Sequence, residues 1–317
     1  MASARDIRRR IRSVRNIQQI TRAMQRVAFS RLRIAQERTL RSRPYAEAMR
    51  DVLRTLPAVS GSDRDVLQEQ RTVQNILVVH ITPDRGLCGS LPGNINRRLA
   101  RFILDQQAPV SVVAVGRKGR DFVLRTGRHM VADFSGLGDT PRAEDAVGIA
   151  RAAITEFREG RVDAVYLTYT RLISTLRQEP TLVPLLPVAP ARQDVTSGSA
   201  DAPPSLSRGW AGEEVPASRS DGGPGGRGPR ALYEFEPEPA VVLSSLMPRY
   251  VEMQIFQALL ESKASEQSAR MVAMQNATDN ARDLVASYTL SLNKARQAGI
   301  TRELAEIVGG AAAVERG

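Results

Sequence analysis

The sequence predicts a mixed fold, α+β with an α/β core: two long terminal helices packed as an antiparallel coiled coil beside a separate α/β domain. Three observations predict it. Residues 3–43 and 249–298 contain no glycine and no proline. The second of these stretches carries a heptad repeat. Between them lie short β-branched runs that alternate with helical patterns.

The N-terminal stretch, at ~1.5 Å per residue, gives a helix of roughly 60 Å. Ile7, Ile11, Val14, Ile17, Ile20, Met24 and Val27 recur in steps of three or four and predict one apolar stripe. Pro44 is expected to bend or end this helix, because proline removes an amide donor and crowds the preceding turn.

In the C-terminal stretch, Leu260, Ala264, Gln267, Met271, Met274, Thr278, Ala281, Val285, Tyr288, Leu292 and Ala295 step alternately by four and three. Only Gln267 and Thr278 among them are polar. A sustained 3.5-residue repeat implies a left-handed coiled coil. Such a stripe needs a partner, and the first helix supplies one. The second helix, continued through 300–308, is the longer. Roughly 25–30 Å of it is expected to project past its partner. That tip carries Ile300, Leu304, Ile307, Val308 and Val314. A bare apolar helix end is unfavourable in water, so it predicts a socket in another protein.

In the middle of the chain, Asn75–Ile81, Val110–Val115 and Val162–Thr168 read as strands, with a further strand expected at 181–188. Helical patterns near 91–107, 117–126 and 141–158 separate them, which is the signature of a parallel sheet. Residues 191–230 hold eight glycines, five prolines and six serines and read as a flexible insertion. The expected boundaries are 1–56 for the N-terminal coiled-coil helix, 72–190 for the α/β domain, 191–230 for the insertion, and 240–317 for the C-terminal helix with its tip.

Composition narrows the function. The net charge of +11 is concentrated: residues 1–43 hold thirteen arginines against Asp6 and Glu37, and the rest of the chain is balanced. The basic helix calls for an acidic or polyanionic partner. A single cysteine, Cys88, rules out a disulfide framework and points to an intracellular chain. No apolar run reaches the length of a membrane span.

Catalytic signatures are missing. None of the three lysines sits in a phosphate-cradling Gly-Lys-Ser/Thr loop. Gly223–Gly228 fits G-x-G-x-x-G only as a string inside the low-complexity insertion. His80 falls within a strand and reads as a satisfied core histidine. No catalytic residue, metal site or cofactor is assigned.

Three segments carry a resemblance: Ile7–Ser30, Asp84–Gly89, and Ala269–Asn280 followed by Asn293–Gly310. Together they resemble the gamma subunit, the central stalk, of rotary F-type ATP synthases, from end to end except over 191–230. The resemblance implies that the α/β domain is Rossmann-like. It implies one copy of the chain inside a hexamer of alpha and beta subunits, with the epsilon subunit and the c-subunit ring at the foot. Proton or sodium flow would turn the ring and the shaft, and the chemistry of ATP would stay in the beta subunits. The chain would be peripheral to a bacterial inner membrane on its cytoplasmic side, without direct insertion.

The same resemblance assigns residues. Arg270, Gln297, Thr301 and Glu303 match a polar catch on beta-subunit loops; spacing alone reads them as solvated helix faces. Met24 with Arg8, Arg9, Arg10 and Arg12 matches the region facing an acidic beta-subunit loop. Tyr233 and Glu236 match foot residues that meet the c ring. Asp84, Arg85, Gly86, Cys88 and Gly89 form a turn that lies near beta in the family; alone, Gly86 and Gly89 explain it as backbone geometry. Gly299 departs from the family, where a residue with a Cβ is usual. The insertion has no cysteine, which predicts no thiol switch. The competing reading is a basic coiled coil that binds nucleic acid. Against it, Ile7, Ile11, Val14 and Ile17 form a packed stripe that the arginines merely flank.

Overall fold

The computed structural model describes residues 4–55, 65–188 and 239–314. Two compact units emerge: Met1–Phe29 with Arg270–Gly317, and Ser30–Ala269. The chain opens with helix α1, Ala4–Thr55, and closes with helix α5, Pro239–Val314.

Both helices run through a proline, and α1 does not end at Pro44, one of the two outcomes expected there. Pro44 lies inside α1 and Pro248 inside α5. Pro44 does not end α1 because it sits on the exposed side of the helix, beside exposed Leu40 and Tyr45. The carbonyl it orphans can turn to water. On the opposite face, Ala46 and Met49 are buried with Met253, and Leu53, Leu246 and Tyr250 pack against them. Tertiary packing of that face overrides the local preference of one proline.

Within the larger unit, five strands form one sheet in the order β3-β2-β1-β4-β5. They are β1 Ile76–Ile81, β2 Val110–Val115, β3 Met130–Phe134, β4 Ala164–Leu172 and β5 Gln178–Leu186. The first four are parallel and β5 is antiparallel to β4. Helices α2 Leu91–Asp105, α3 Arg117–Arg125 and α4 Ala143–Arg158 connect them. The order 3-2-1-4 is that of a doubly wound half-sheet, so the Rossmann-like expectation holds. Strand β3 was not foreseen. It is a short edge strand with no fully buried residue, and it lacks the β-branched run that marks β1 and β2.

The sheet is covered on both faces, which is why β1 is buried at all six positions. On one face Leu99, Phe102 and Ile103 of α2 and Val123 of α3 pack on Ile76, Val78, Val110 and Val112. On the other, α4 contributes Ile149, Ala153 and Phe157, and α5 contributes Met247, Val251, Ile255 and Leu259. The upper part of α5 is therefore a core helix of the domain before it becomes a coiled-coil strand.

Candidate functional site

In the smaller unit, α1 and α5 pair through a heptad seam. On α5 the seam is Met274, Thr278, Ala281, Val285, Tyr288, Leu292 and Ala295, each buried or half-buried, in the predicted 3.5 repeat. On α1 the seam is Ile7, Ile11, Val14, Gln18, Thr21, Gln25 and Ala28. This corrects the predicted stripe: Ile17, Ile20 and Val27 are 50 %, 59 % and 50 % exposed. Stepping from Val14 by three to Ile17, rather than by four to Gln18, moved the stripe off the seam.

Two of the polar seam residues of α1, Thr21 and Gln25, are paired with α5. The hydroxyls of Thr21 and Thr278 meet at 2.7 Å. The amide of Gln25 donates to Gln275, which donates to Asp279 at 2.7 Å. Buried polar groups satisfied across an interface fix register, because a slip by one heptad would leave them unpaired. Residues 21 and 25 face 278 and 275, so the helices run antiparallel. Extended along that register, Ala4 at the start of α1 falls opposite residues 295–296. Residues 297–314 of α5 have no partner on α1, a span of about 27 Å.

That span is the predicted tip. Ile300, Leu304 and Ile307 are exposed. Val308 and Val314 belong to the helix, but their side chains lie outside the described residues. Gln297, Thr301 and Glu303 are also exposed; the Thr301 hydroxyl donates to the Gln297 carbonyl at 3.0 Å. Arg270 differs from them, being buried within this chain. Tyr233, Glu236 and the 191–230 insertion lie outside the described residues.

At the other helix start, Arg8, Arg9, Arg10 and Arg12 are exposed around buried Ile7 and Ile11, with Met24 half-buried further along. Arg9 approaches Asp6 at 3.6 Å in a pair open to solvent. Such a pair offsets little of the positive charge.

The Asp84–Gly89 turn links β1 to α2. The Asp84 carboxylate accepts the amides of Arg117 and Gly136 at 3.1 Å each, and so ties together the loops after β1, β2 and β3. Arg85, Gly86 and Leu87 are exposed, and Cys88 is buried with Leu91 and Ala269. The left-handed residues are Leu87, φ 63°, and Gly89, φ 61°. Gly89 serves as expected; the second such position is Leu87, not Gly86. A non-glycine residue in that region is uncommon.

His80 is a satisfied core residue. Its Nε2 donates to Asn96 at 2.9 Å and its Nδ1 accepts the Thr168 hydroxyl at 2.6 Å. Burial lowers its pKa to about 4, against the opposing bond to Asn96, so it is neutral at pH 7. Gly119 at the start of α3 leaves room for it; a Cβ there would stand 2.8 Å from the imidazole. Among the described residues, no cluster of His, Cys, Asp or Glu is placed to hold a metal ion. No helix among them is long and apolar enough to cross a membrane.

A family model described as ATP synthase matches residues 3–314. The ATP synthase gamma chain of Dehalococcoides mccartyi strain CBDB1 is 48 % identical over 316 residues, covering 99 % of this chain and 100 % of its own. The chain belongs to the ATP synthase gamma chain family. The gamma chain of Chloroflexus aurantiacus strain J-10-fl is 47 % identical over 320 residues, covering 99 % of each chain. Among solved structures, a chain of the Euglena gracilis mitochondrial ATP synthase (OSCP/F1/c-ring, rotational state 3) shares the fold. Its TM-score is 0.64 at 20 % identity, over 98 % of this chain and 94 % of that one. No finding supports the nucleic-acid alternative.

Proposed function

We propose that the chain is the central rotor shaft of an F-type ATP synthase, carrying the rotation of a membrane c ring to the catalytic beta subunits. The observation that carries this reading is the α5 tip. Ile300, Leu304 and Ile307 stand exposed on about 27 Å of unpaired helix, on a chain related end to end to gamma chains. A helix end of that composition is stable only inside a bearing, and a ring of alpha and beta subunits is such a bearing.

The shaft's surface is unlike on its different sides. The Arg8–Arg12 cluster offers positive charge to an acidic beta-subunit loop. Ile17, Ile20 and Val27 offer an apolar face. Gln297, Thr301 and Glu303 form the polar catch on beta, while Arg270, buried about 40 Å further down α5, would reach beta only by turning outward on assembly. A shaft with unlike faces favours a different beta conformation at each angle, and this differential contact energy is what drives the nucleotide sites through their states. The chain itself carries no active site. Ion flow, whether of protons or sodium, does the work at the c ring, where the foot of the chain meets the epsilon subunit. One copy serves each complex, held peripherally on the cytoplasmic face of a bacterial inner membrane.

Affinity purification of the tagged chain from its own cells tests this. Alpha, beta and epsilon subunits are expected to come out with it in one ATP-hydrolysing complex. Recovery of the chain alone, or with nucleic acid, would overturn the reading.

A further inference from the structure

We propose that Ser262, Ser265 and Ser268 are positioning residues that key α5 to the β4–β5 hairpin, so that the α/β domain and the shaft helix turn as one piece. The proposal rests on the rotor reading above.

Strand β4 outlasts its neighbour. The last pairing of β1 with β4 is His80 with Thr168, yet β4 runs on to Leu172. Thr170 is buried in this overhang. Buried backbone groups need partners. Two serines of α5 supply them: the Thr170 amide donates to Ser262 Oγ at 3.3 Å, and Ser265 Oγ donates to the Thr170 carbonyl at 2.9 Å. The helix thus presents a hydroxyl acceptor and a hydroxyl donor where a further strand would present backbone. One turn further on, Ser268 Oγ donates to the Thr175 carbonyl at 2.8 Å, in the turn between β4 and β5. Gln178 donates to that same carbonyl at 2.9 Å and reaches Ser268 Oγ at 3.5 Å.

Energy alone does not account for this stretch. Lys263, Ser265, Glu266, Gln267 and Ser268 are all buried, and both amide atoms of Gln267 lack a hydrogen-bond partner. An apolar helix would pack here at lower desolvation cost. What apolar packing cannot supply is direction, since hydrophobic burial is non-directional and lets a helix roll or slide. Serines at successive steps of three residues spread over about 120° of the helix circumference, so their bonds resist rotation and sliding together. The joint sits just before Arg270, where α5 leaves the larger unit for the coiled coil. Torque passing from the α/β domain into α5 crosses it.

The test uses the assembled synthase in inverted membrane vesicles. Ser262, Ser265 and Ser268 are changed to Ala singly and together. ATP hydrolysis, ATP-driven ion uptake and single-molecule torsional stiffness are measured. The wild-type chain is expected to assemble and pump; if it does neither, the rotor reading fails whatever the serines do. With pumping established, the triple variant should hydrolyse ATP within about twofold of wild type but move about threefold fewer ions per ATP, with a softer shaft. Ser262→Thr, with Ser265 and Ser268 intact, should keep both at the wild-type level. It keeps the acceptor, and Ser262 borders a small cavity, lined also by Leu137 and Leu259, that can take the methyl group. If the triple variant does not assemble, Ser262→Ala decides: in the complex, its Thr170 amide should exchange hydrogen about tenfold faster. Wild-type exchange at Thr170, or wild-type stiffness and ion-to-ATP ratio in the variants, would overturn the joint.

Discussion

The hydroxyls of Thr21 and Thr278 meet 2.7 Å apart across the coiled coil, joining positions 257 residues apart in the chain. Each also faces a carbonyl of its own helix, Gln18 at 3.1 Å and Met274 at 2.8 Å. Two hydrogens serve three bonds, so the pair shares its donors. Replacing either threonine with valine should destabilise the purified chain by about 1 kcal/mol, and replacing both should cost less than the sum, because the second change removes a group already unpaired. Denaturant unfolding of the four proteins of the cycle measures the coupling; strict additivity would mean that the two hydroxyls do not interact.

Glu261 gives the domain a pH dependence. Burial pushes its carboxyl up to about 7, against the opposing pull of Arg171 and Arg43, and its Oε2 lacks a hydrogen-bond partner. The folded chain therefore binds this proton more tightly than the unfolded chain, whose ordinary value is 4.5. Stability from this group is full below pH 4.5, falls as pH rises towards 7, and is level above. Glu261→Gln should flatten that window and stabilise the chain at pH 8, by something on the order of 2 kcal/mol. Unfolding midpoints at pH 5 and pH 8 check it.

Gly299 lies on the unpaired part of α5, and a Cβ built there meets nothing within 4 Å. Gly299→Ala should stiffen the tip by about 0.5–1 kcal/mol of helix stability. Slower hydrogen exchange over residues 297–307 is the expected readout. A fall in coupling in the same variant would show that the softness is used.

Changing Arg8, Arg9, Arg10 and Arg12 together to Gln should leave the stability of the chain within about 0.5 kcal/mol of wild type, since all four are exposed. If these arginines face beta as proposed, it should lower the ratio of ATP synthesis to hydrolysis in the complex. An unaltered ratio would count against that contact.

Deleting residues 300–317 removes the bare tip and should weaken assembly or torque. Coupled ATP synthesis in vesicles measures the effect, and synthesis at the wild-type rate would count against a bearing.

Periodicity decided much of this molecule in advance. The α5 heptad from Met274 to Ala295 is buried or half-buried as its spacing requires, and β1, β2 and β4 lie where β-branched runs placed them. Those features are local: side-chain size and a 3.5- or 2-residue repeat suffice to set them. The unequal lengths of the two helices, and hence the tip, are also a property of the sequence. Of the site residues, Gln297, Thr301 and Glu303 were recognisable only through family resemblance, because an exposed polar residue carries no spacing signal of its own.

Tertiary structure decided the rest. Whether Thr21 and Gln25 lie in the seam or outside it depends on Thr278 and Gln275, some 250 residues away, which satisfy them. A search for apolar residues passes over them and settles on Ile17 and Ile20, which face outward. Pro44 continues its helix because Ala46 and Met49 find Met253. Ser262 and Ser265 are ordinary helix residues until β4 outruns β1 and leaves Thr170 in need of partners. In each case a buried polar group or a broken local rule is settled by a partner distant in the chain, and only the folded molecule brings that partner within hydrogen-bonding or packing distance.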